Sequence, residues 1–172
     1  MEEMDQSIID NWNNTVSRKD TVYILGDFAW KNHLHYIGAL KSHKILLLGN
    51  HDRASKTVYG NLTAVHDILQ KEFNKRLMIM CHYPMRSWNG RVHGSWMLHG
   101  HCHCKLSPMR NTIDVGCDGN NYLPYSLDDI FKKMADNNAK FDIVKKCFAC
   151  GNTEKWVTTA DEERCGVCGS AL

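Results

Sequence analysis

The chain has 172 residues, of which 43% are hydrophobic and 23% charged, a composition typical of a globular protein with one substantial core. Its formal net charge of +2 is too small to predict binding to nucleic acid or to a membrane surface from electrostatics alone. Because no segment reaches the roughly 20 apolar residues that cross a bilayer, and the acidic amino terminus lacks the apolar core of a secretion signal, we expect a cytoplasmic protein with no membrane partner.

The first part of the chain predicts alternating helices and strands. An apolar stripe with a four-residue spacing predicts a helix over residues 3–16 whose apolar face packs in the core. β-Branched and aromatic residues predict a strand over 21–25, and a helix over 31–41 leads to a fully apolar strand over 45–48. The succession of strand, helix and strand predicts that the two strands are parallel.

The second part predicts more strands, a helix and a small terminal unit. A short helix and a strand near 62–65 are the weakest signals. The later elements are strands over 76–80, 95–98, 111–115 and 141–144, and a helix over 126–136 that is capped by Ser126. We therefore predict an α/β domain over residues 1–140 and a separate unit over residues 141–172.

Side chains that bind metals follow four of the apolar runs directly. They are Asp27 after the first strand, Asn50 after the second, His82 after the strand over 76–80, and His101 with His103 after the next. Ligands bind at the carboxyl ends of the strands in open α/β sheets, so these side chains are expected to meet. A mixture of carboxylate, amide oxygen and imidazole suits Mn, Fe or Zn better than Ca, which prefers more oxygen ligands.

The order of these motifs resembles that of a known family. Gly26-Asp27, Gly49-Asn50-His51-Asp52, Cys81-His82 and Gly100-His101-Cys102-His103 are similar to successive motifs of the calcineurin-like metallophosphoesterases, in particular the small bacterial and phage members. The resemblance extends from about residue 3 to about residue 131. It implies a calcineurin-like sandwich, with β-sheets flanked by helices, and the hydrolysis of a phosphomonoester or phosphodiester, with nucleotides among the candidate substrates.

The resemblance also implies a set of metal ligands. Asp27 would bridge two divalent ions, which could be Mn, Fe, Ni or Zn. Asn50, His82 and His101 would complete the protein ligands of one ion, and His103 would serve the other. In two-metal catalysis of this kind, the ions neutralise phosphate charge and activate a water molecule for in-line attack.

Further residues are implied to act on the substrate. His51 would contact the phosphate and protonate the leaving oxygen, with Asp52 orienting its ring. Arg86 and Arg91, in the loop after His82, are candidate phosphate contacts, and a solvated basic loop is the equal alternative. In the same region, two tryptophans are candidates to line the cleft or stack on a base, with core packing favoured for the second. They are Trp88 and Trp96.

One motif of the family is absent. The family begins with a strand that ends in Asp-x-His, whose side chains ligate the same metal as His103, and this sequence contains no Asp-x-His. One metal site is therefore complete, whereas the other keeps only Asp27 and His103, so the centre could hold two ions or only one. Three explanations stay open: a truncated or internally started product, a second copy or another partner that supplies the strand and completes the sheet, or a degenerate one-metal protein. His33 and His35 are alternative ligands.

The carboxyl-terminal cysteines predict a structural zinc site. Cys147-x-x-Cys150 and Cys165-x-x-Cys168, with fourteen residues between the pairs, have the spacing of a zinc ribbon with four cysteine ligands. The segment is too short for its own core, so the zinc ion would supply much of its folding free energy. Such a ribbon could contact nucleic acid or protein. The alternative function is therefore a catalytically degenerate metal-binding module that acts through these contacts.

The other four cysteines are expected to be reduced and mostly without a metal. They are Cys81, Cys102, Cys104 and Cys117.

Overall fold

The computed structural model describes residues 2–52, 59–141, 156–158, 163–165, 168 and 170. The chain divides into two compact units, Met1–Asn138 and Ala139–Leu172. The second unit contains an antiparallel pair of strands, Trp156–Thr158 and Glu163–Cys165. The zinc-site prediction and the strand predicted over 141–144 fall almost wholly outside the described residues, so both stay predictions.

The first unit is an α/β domain with mixed sheets flanked by helices. Its helices are α1 (Glu2–Thr15), α2 (His33–Ala39) and α3 (Leu127–Ala139). Its strands are β1 (Thr21–Ile24), β2 (His43–Leu47), β3 (Ala64–His66), β4 (Ile68–Phe73), β5 (Arg76–Cys81), β6 (Trp96–His99) and β7 (Thr112–Asp114). In the described part of the chain, no helix has both the length and the apolar character needed to cross a membrane.

Two sheets organise this unit. The first has the order β1-β2-β3 and is parallel throughout, which confirms the predicted parallel pairing of β1 with β2. The second has the order β4-β5-β6-β7, in which β4 pairs antiparallel to β5 and the remaining pairs are parallel. The carboxyl ends of β5, β6 and β7 therefore lie at one edge of the second sheet.

The strand β4 was not predicted, and its sequence explains why. Four of its six residues are exposed, as expected of an edge strand, so its polar residues hide the alternation that marks a half-buried strand. It joins β5 through Asn74 and Lys75, which have φ angles of +47° and +61°. Positive φ at both positions is typical of a type I′ hairpin turn, but Asn-Lys lacks the glycine that usually signals one.

The core lies between the two sheets. Alternate residues of β5 and β6 share one cluster with Leu47 of β2 and with Ile130 and Met134 of α3. Residues of β5 and β6 that point the other way form a second cluster with Trp88. Both faces of the second sheet are thus covered, which is typical of parallel strands. The sheet residues of the two clusters are Met78, Met80, Trp96 and Leu98 in the first and Ile79, Cys81 and Met97 in the second.

A third cluster packs α1 against the first sheet. Trp12 and Val16 of the predicted apolar stripe are buried with Leu40, and Val22 and Ile24 of β1 pack against them. The indole Nε1 of Trp12 also donates a hydrogen bond of 2.8 Å to the carbonyl of Lys41. The predicted core role is therefore confirmed for Trp12 and Val16, whereas Met4, at the start of the same stripe, is 43% exposed.

Candidate metal centre

The structure brings four of the predicted metal ligands together. Asp27 follows β1 and Asn50 lies just beyond β2, whereas His82 and His101 follow β5 and β6. One ligand atom each from Asp27, His82 and His101 lies within 4.8 Å of the others. The apolar strands thus deliver these side chains to one place, at the carboxyl ends of strands from both sheets.

His82 is the centre of this group. Its side chain is 1% exposed, and Nδ1 lies 2.7 Å from the carbonyl oxygen of Leu25. A carbonyl oxygen can only accept, so Nδ1 carries the proton and donates it. In the neutral ring, the lone pair is therefore on Nε2. A backbone carbonyl that fixes the tautomer in this way is typical of metal-binding histidines.

Three further atoms of types that ligate metals surround that lone pair. His82 Nε2 lies 3.1 Å from Asn50 Oδ1, 3.1 Å from His101 Nδ1 and 3.4 Å from Asp27 Oδ2. One proton could satisfy only one of these contacts, whereas a cation at their centre would satisfy all of them. Metal–ligand bonds of about 2.1 Å separate neighbouring ligand atoms by about 3.0–3.4 Å. The donor set and its spacing therefore fit a divalent metal ion.

The backbone around Asp27 leaves no room for additional side chains. Gly26 has a φ angle of +87°, and a Cβ atom there would run into the ring of His82 and within 2.8 Å of the Cα of Gly49. A Cβ at Gly49 would meet the carboxylate of Asp27 and its backbone nitrogen. Asp27 and His101 themselves have φ angles of +52° and +67°, in the left-handed region that Asp and His adopt more often than most residues other than glycine.

Asp52 joins the two loops that carry Asp27 and Asn50. One carboxylate oxygen accepts the backbone N–H groups of Asp27 at 2.7 Å and Gly49 at 2.8 Å, and the other accepts that of Phe28 at 2.9 Å. These bonds involve both oxygens, so Asp52 holds the loops in register. Asp52 thus has a positioning role through the backbone, and its predicted orientation of the His51 ring stays a prediction.

His51 lies beside the ligand group at the protein surface. Its backbone N–H donates a hydrogen bond of 2.8 Å to Asp27 Oδ1, while its exposed ring stacks on Trp30, with ring centroids 4.0 Å apart and planes inclined by 36°. On the side of the histidine ligands, the exposed ring of Tyr83 lies 4.9 Å from the ring of His82 and 5.0 Å from that of His101. Trp30 was not a predicted site residue.

His103 is held differently from the other histidine ligands. Its side chain is 69% exposed, and Nδ1 lies 2.7 Å from Asp118 Oδ2. By the same tautomer argument, Nε2 is the nitrogen left to bind a metal. His103 does not belong to the ligand group formed by Asp27, His82 and His101 in the described part of the chain.

The loop between β5 and β6 determines the position of Arg91. Because β5 and β6 are parallel, this loop must return to their amino ends, and Arg76 at the start of β5 donates a 2.8 Å bond to the carbonyl of Gly94. The guanidinium of Arg91 lies over the ring of Trp88, 5.4 Å from its centroid. This position favours the alternative of a solvated basic loop for Arg91, and its contact with substrate stays a prediction. Arg86 is exposed and stays a candidate.

Both tryptophans of this region are packing residues. Trp88 is buried and its Nε1 donates a 3.0 Å hydrogen bond to the hydroxyl of Ser95. Trp96 is buried in the core between the sheets, where its ring contacts that of Phe131 at 4.7 Å. Burial confirms the core packing that was favoured for Trp96, and it gives Trp88 the same role in place of lining the cleft.

The remaining predicted ligands and cysteines stand apart from the group. His33 and His35 lie on α2, and neither joins the metal-ligand group among the described residues. Partial burial and then the carboxylate of Asp114 raise the pKa of the Cys102 and Cys104 thiols, so they are protonated at neutral pH. Four cysteines are free of disulfide bonds, as predicted. They are Cys81, Cys102, Cys104 and Cys117.

Known proteins with similar sequences or folds carry no assigned activity. No family model matches the sequence. The crystal structure of the protein of unknown function AQ665 from Aquifex aeolicus superimposes with a TM-score of 0.64 and 25% identity, over 77% of this chain and 86% of that one. The Gene 66 protein of Mycobacterium phage L5 is 28% identical over 158 residues, which cover 69% of this chain and 75% of the phage protein.

A further relative comes from Methanocaldococcus jannaschii. Its uncharacterized protein MJ1445 is 33% identical to this chain over 144 residues, which cover 77% of this chain and 76% of MJ1445. Identity at this level over three quarters of both proteins establishes a common family. The chain therefore belongs to the same protein family as MJ1445.

Proposed function

We propose that this chain is a calcineurin-like metallophosphoesterase that hydrolyses a phosphomonoester or phosphodiester. The observation that carries the proposal is the convergence of atoms of metal-ligating types from Asp27, Asn50 and His101 on the Nε2 lone pair of His82. The order of the motifs along the chain supports the same conclusion, because each ligand directly follows or lies just beyond a strand whose carboxyl end faces the site.

Asp27, Asn50, His82 and His101 would hold a divalent metal ion. Such an ion supplies Lewis-acid polarisation of the phosphoryl group and makes water more acidic. Oδ2 of Asp27 lies next to His82, and Oδ1 accepts a hydrogen bond from the backbone N–H of His51. The carboxylate therefore couples the position of the ligand group to the position of His51.

His51 is the residue that would move a proton. Its ring is exposed beside the ligand group, where it can protonate the oxygen of the leaving alcohol. The backbone bond from His51 to Asp27 fixes the His51 backbone beside the ligands. Asp52 keeps both loops in place through backbone N–H groups, so it contributes to the reaction by positioning.

A non-catalytic metal-binding module is the second candidate. It is favoured by the second metal subsite, for which the described residues offer two predicted ligands, Asp27 and His103, instead of a full set. His103 is 69% exposed and tied to Asp118. A protein with only the first subsite could bind one ion and act through contacts of the carboxyl-terminal unit, including the predicted zinc ribbon, with protein or nucleic acid.

Metal content and hydrolysis measured together distinguish the two candidates. The purified chain is incubated with Mn²⁺ and desalted, its metals are counted by mass spectrometry, and hydrolysis of p-nitrophenyl phosphate and bis(p-nitrophenyl) phosphate is followed. A phosphoesterase binds manganese and hydrolyses at least one ester in a manganese-dependent way. Manganese binding without hydrolysis would establish the binding module, and no manganese binding would overturn both.

Three variants test the residues. Asn50→Ala, at an exposed position, should lose the manganese and the activity while the chain still folds. His51→Ala should keep the manganese but slow hydrolysis by about 10²–10⁴-fold, the usual contribution of a general acid. His43→Ala, at the exposed amino end of β2 and so at the opposite end of the strand from Asn50, is the control that should change neither. Unchanged hydrolysis by His51→Ala would contradict the proposed proton donor.

A further inference from the structure

Trp30 is an exposed aromatic residue that the proposed function does not use. Its side chain is 75% exposed, more than that of any other aromatic residue among those whose exposure is described. A single exposed apolar side chain is common and carries no meaning alone. The position of Trp30 is what distinguishes it, because its ring stacks on His51 with the centroids 4.0 Å apart.

The stacked pair lies at the edge of the candidate metal centre. His51 follows the ligand Asn50 directly in sequence, and its backbone N–H bonds to the ligand Asp27. A group attached to the leaving oxygen of a phosphate ester would therefore emerge next to His51, where the Trp30 ring is the neighbouring surface. Since the indole is largely exposed, much of its surface is available to another flat ring.

We propose that Trp30 is a stacking platform for the leaving group, so that the substrates are phosphate esters of alcohols that carry a planar aromatic ring. Nucleosides and aryl alcohols share this chemistry. The inference rests on the proposed function, because the phosphate must be held at the metal centre for the ring to reach Trp30. An aliphatic phosphate ester would leave the platform unused.

The expected preference follows from stacking of bases on aromatic side chains. Such contacts change affinity by about 5- to 150-fold per base when the aromatic residue is replaced by alanine. An indole offers this surface to any flat ring without reading its hydrogen-bonding edge. Trp30 would thus select for an aromatic group and leave the choice among bases open.

The test compares two ligands that differ only in the ring. Dissociation constants of adenosine monophosphate and ribose 5-phosphate are measured by calorimetry on the manganese-loaded full chain, with each ligand supplied as the phosphonate in which a methylene group replaces the ester oxygen, so that no hydrolysis occurs. We expect adenosine monophosphate to bind at least about fivefold more tightly. Trp30→Ala should reduce this ratio to near one, and Trp30→Phe should keep part of it. Val92→Ala, at an exposed apolar residue in the turn before the amino end of β6, is the control and should leave the ratio unchanged.

Two results would overturn the inference: equal affinity of the wild-type chain for both ligands, or a preference that survives Trp30→Ala. Phenyl phosphate distinguishes the two classes of leaving group. Tighter binding of adenosine monophosphate than of phenyl phosphate would identify the leaving group as a nucleoside, and tighter binding of phenyl phosphate would identify it as an aryl alcohol. The proposed function is judged separately by manganese-dependent hydrolysis of the wild-type chain. A Trp30-dependent preference in a chain that hydrolyses no ester would sustain the platform and refute the phosphoesterase.

Discussion

The inner and outer metal subsites differ in how the chain holds their histidines. We call the proposed ligands Asp27, Asn50, His82 and His101 the inner subsite, and the predicted pair of Asp27 and His103 the outer subsite. His82 is 1% exposed and is fixed by the carbonyl of Leu25, which belongs to the backbone. His103 is 69% exposed and is fixed by a carboxylate that is itself 37% exposed. A ligand held by backbone in the interior is ordered before the metal binds, whereas one held by an exposed side chain must be ordered at that moment.

The largest effect that separates the subsites should come from His82→Ala. The change removes a ligand from the centre of the inner subsite and leaves the carbonyl of Leu25 without its side-chain partner, at a cost of roughly 1–3 kcal/mol. We expect the chain to lose the manganese ion that is retained after desalting, and its free energy of unfolding in urea to fall by at least that amount.

His103→Ala is the matched variant for that comparison. Its side chain is exposed, so the free energy of unfolding should change by no more than about 0.5 kcal/mol. The ion of the inner subsite should stay bound. If His103→Ala released manganese as completely as His82→Ala, the two subsites would be one cooperative centre and the distinction drawn between them would be wrong.

Metal removal should have the next largest effect. A ligand that binds only the folded chain stabilises it by about 2.7 kcal/mol at a free concentration one hundred times its dissociation constant. For a domain of this size, that corresponds to a rise in melting temperature of roughly 5–10 °C. We expect manganese to raise the melting temperature of the wild-type chain and a chelator to reverse the rise.

The same measurement distinguishes the subsites. His103→Ala should keep most of the manganese-induced rise in melting temperature, because the inner subsite is intact. Asn50→Ala should lose it, because Asn50 Oδ1 lies 3.1 Å from His82 Nε2 and belongs to the inner ligand set. A rise that is equal in both variants would place the ion elsewhere in the chain.

The inner subsite could be predicted from the sequence because its signal is local. Each ligand comes at or just after the end of an apolar run, and the sheet edge then brings residues as distant as Asp27 and His101 together. The pairing of β1 with β2 could be predicted for the same reason, since the strand–helix–strand order fixes it.

Other features depend on loop conformation, which has no periodic signal. The loop that carries Trp30 has positive φ angles at Asp27 and Asn32, of +52° and +56°, and neither position has the glycine that usually signals such an angle. Arg91 lies near the amino end of β6 because of the path of a long loop, and its short distance in sequence from His82 does not reveal this. The polar residues of β4 likewise prevented its prediction from the sequence.

Asp52→Asn tests whether Asp52 positions the two ligand loops or orients the ring of His51. The carboxylate accepts three backbone N–H groups, and an amide nitrogen in place of one oxygen would face at least one of them as a donor. Hydrogen bonds to a charged acceptor contribute roughly 1.5–3 kcal/mol, about twice as much as neutral ones. We expect the free energy of unfolding to fall by about 1–2 kcal/mol and manganese affinity to fall with it. If only the rate of hydrolysis fell, Asp52 would act on His51 as the family resemblance implies.

The smallest effect is expected from Asp118→Asn, which removes the charge on the partner of His103. The pair is exposed, and exposed ion pairs contribute about 0–1 kcal/mol, so the melting temperature should shift by no more than a few degrees. Metal binding at the inner subsite should not change, since His103 is not among its ligands. If the outer subsite also holds an ion, loss of the carboxylate should weaken that ion's affinity by about 10–100-fold, as when other partners of metal-bound histidines are replaced. Titration of the variant with manganese would then show one tight and one weakened site. A single unchanged site in both proteins would mean that His103 binds no metal in this chain and that the inner subsite acts alone.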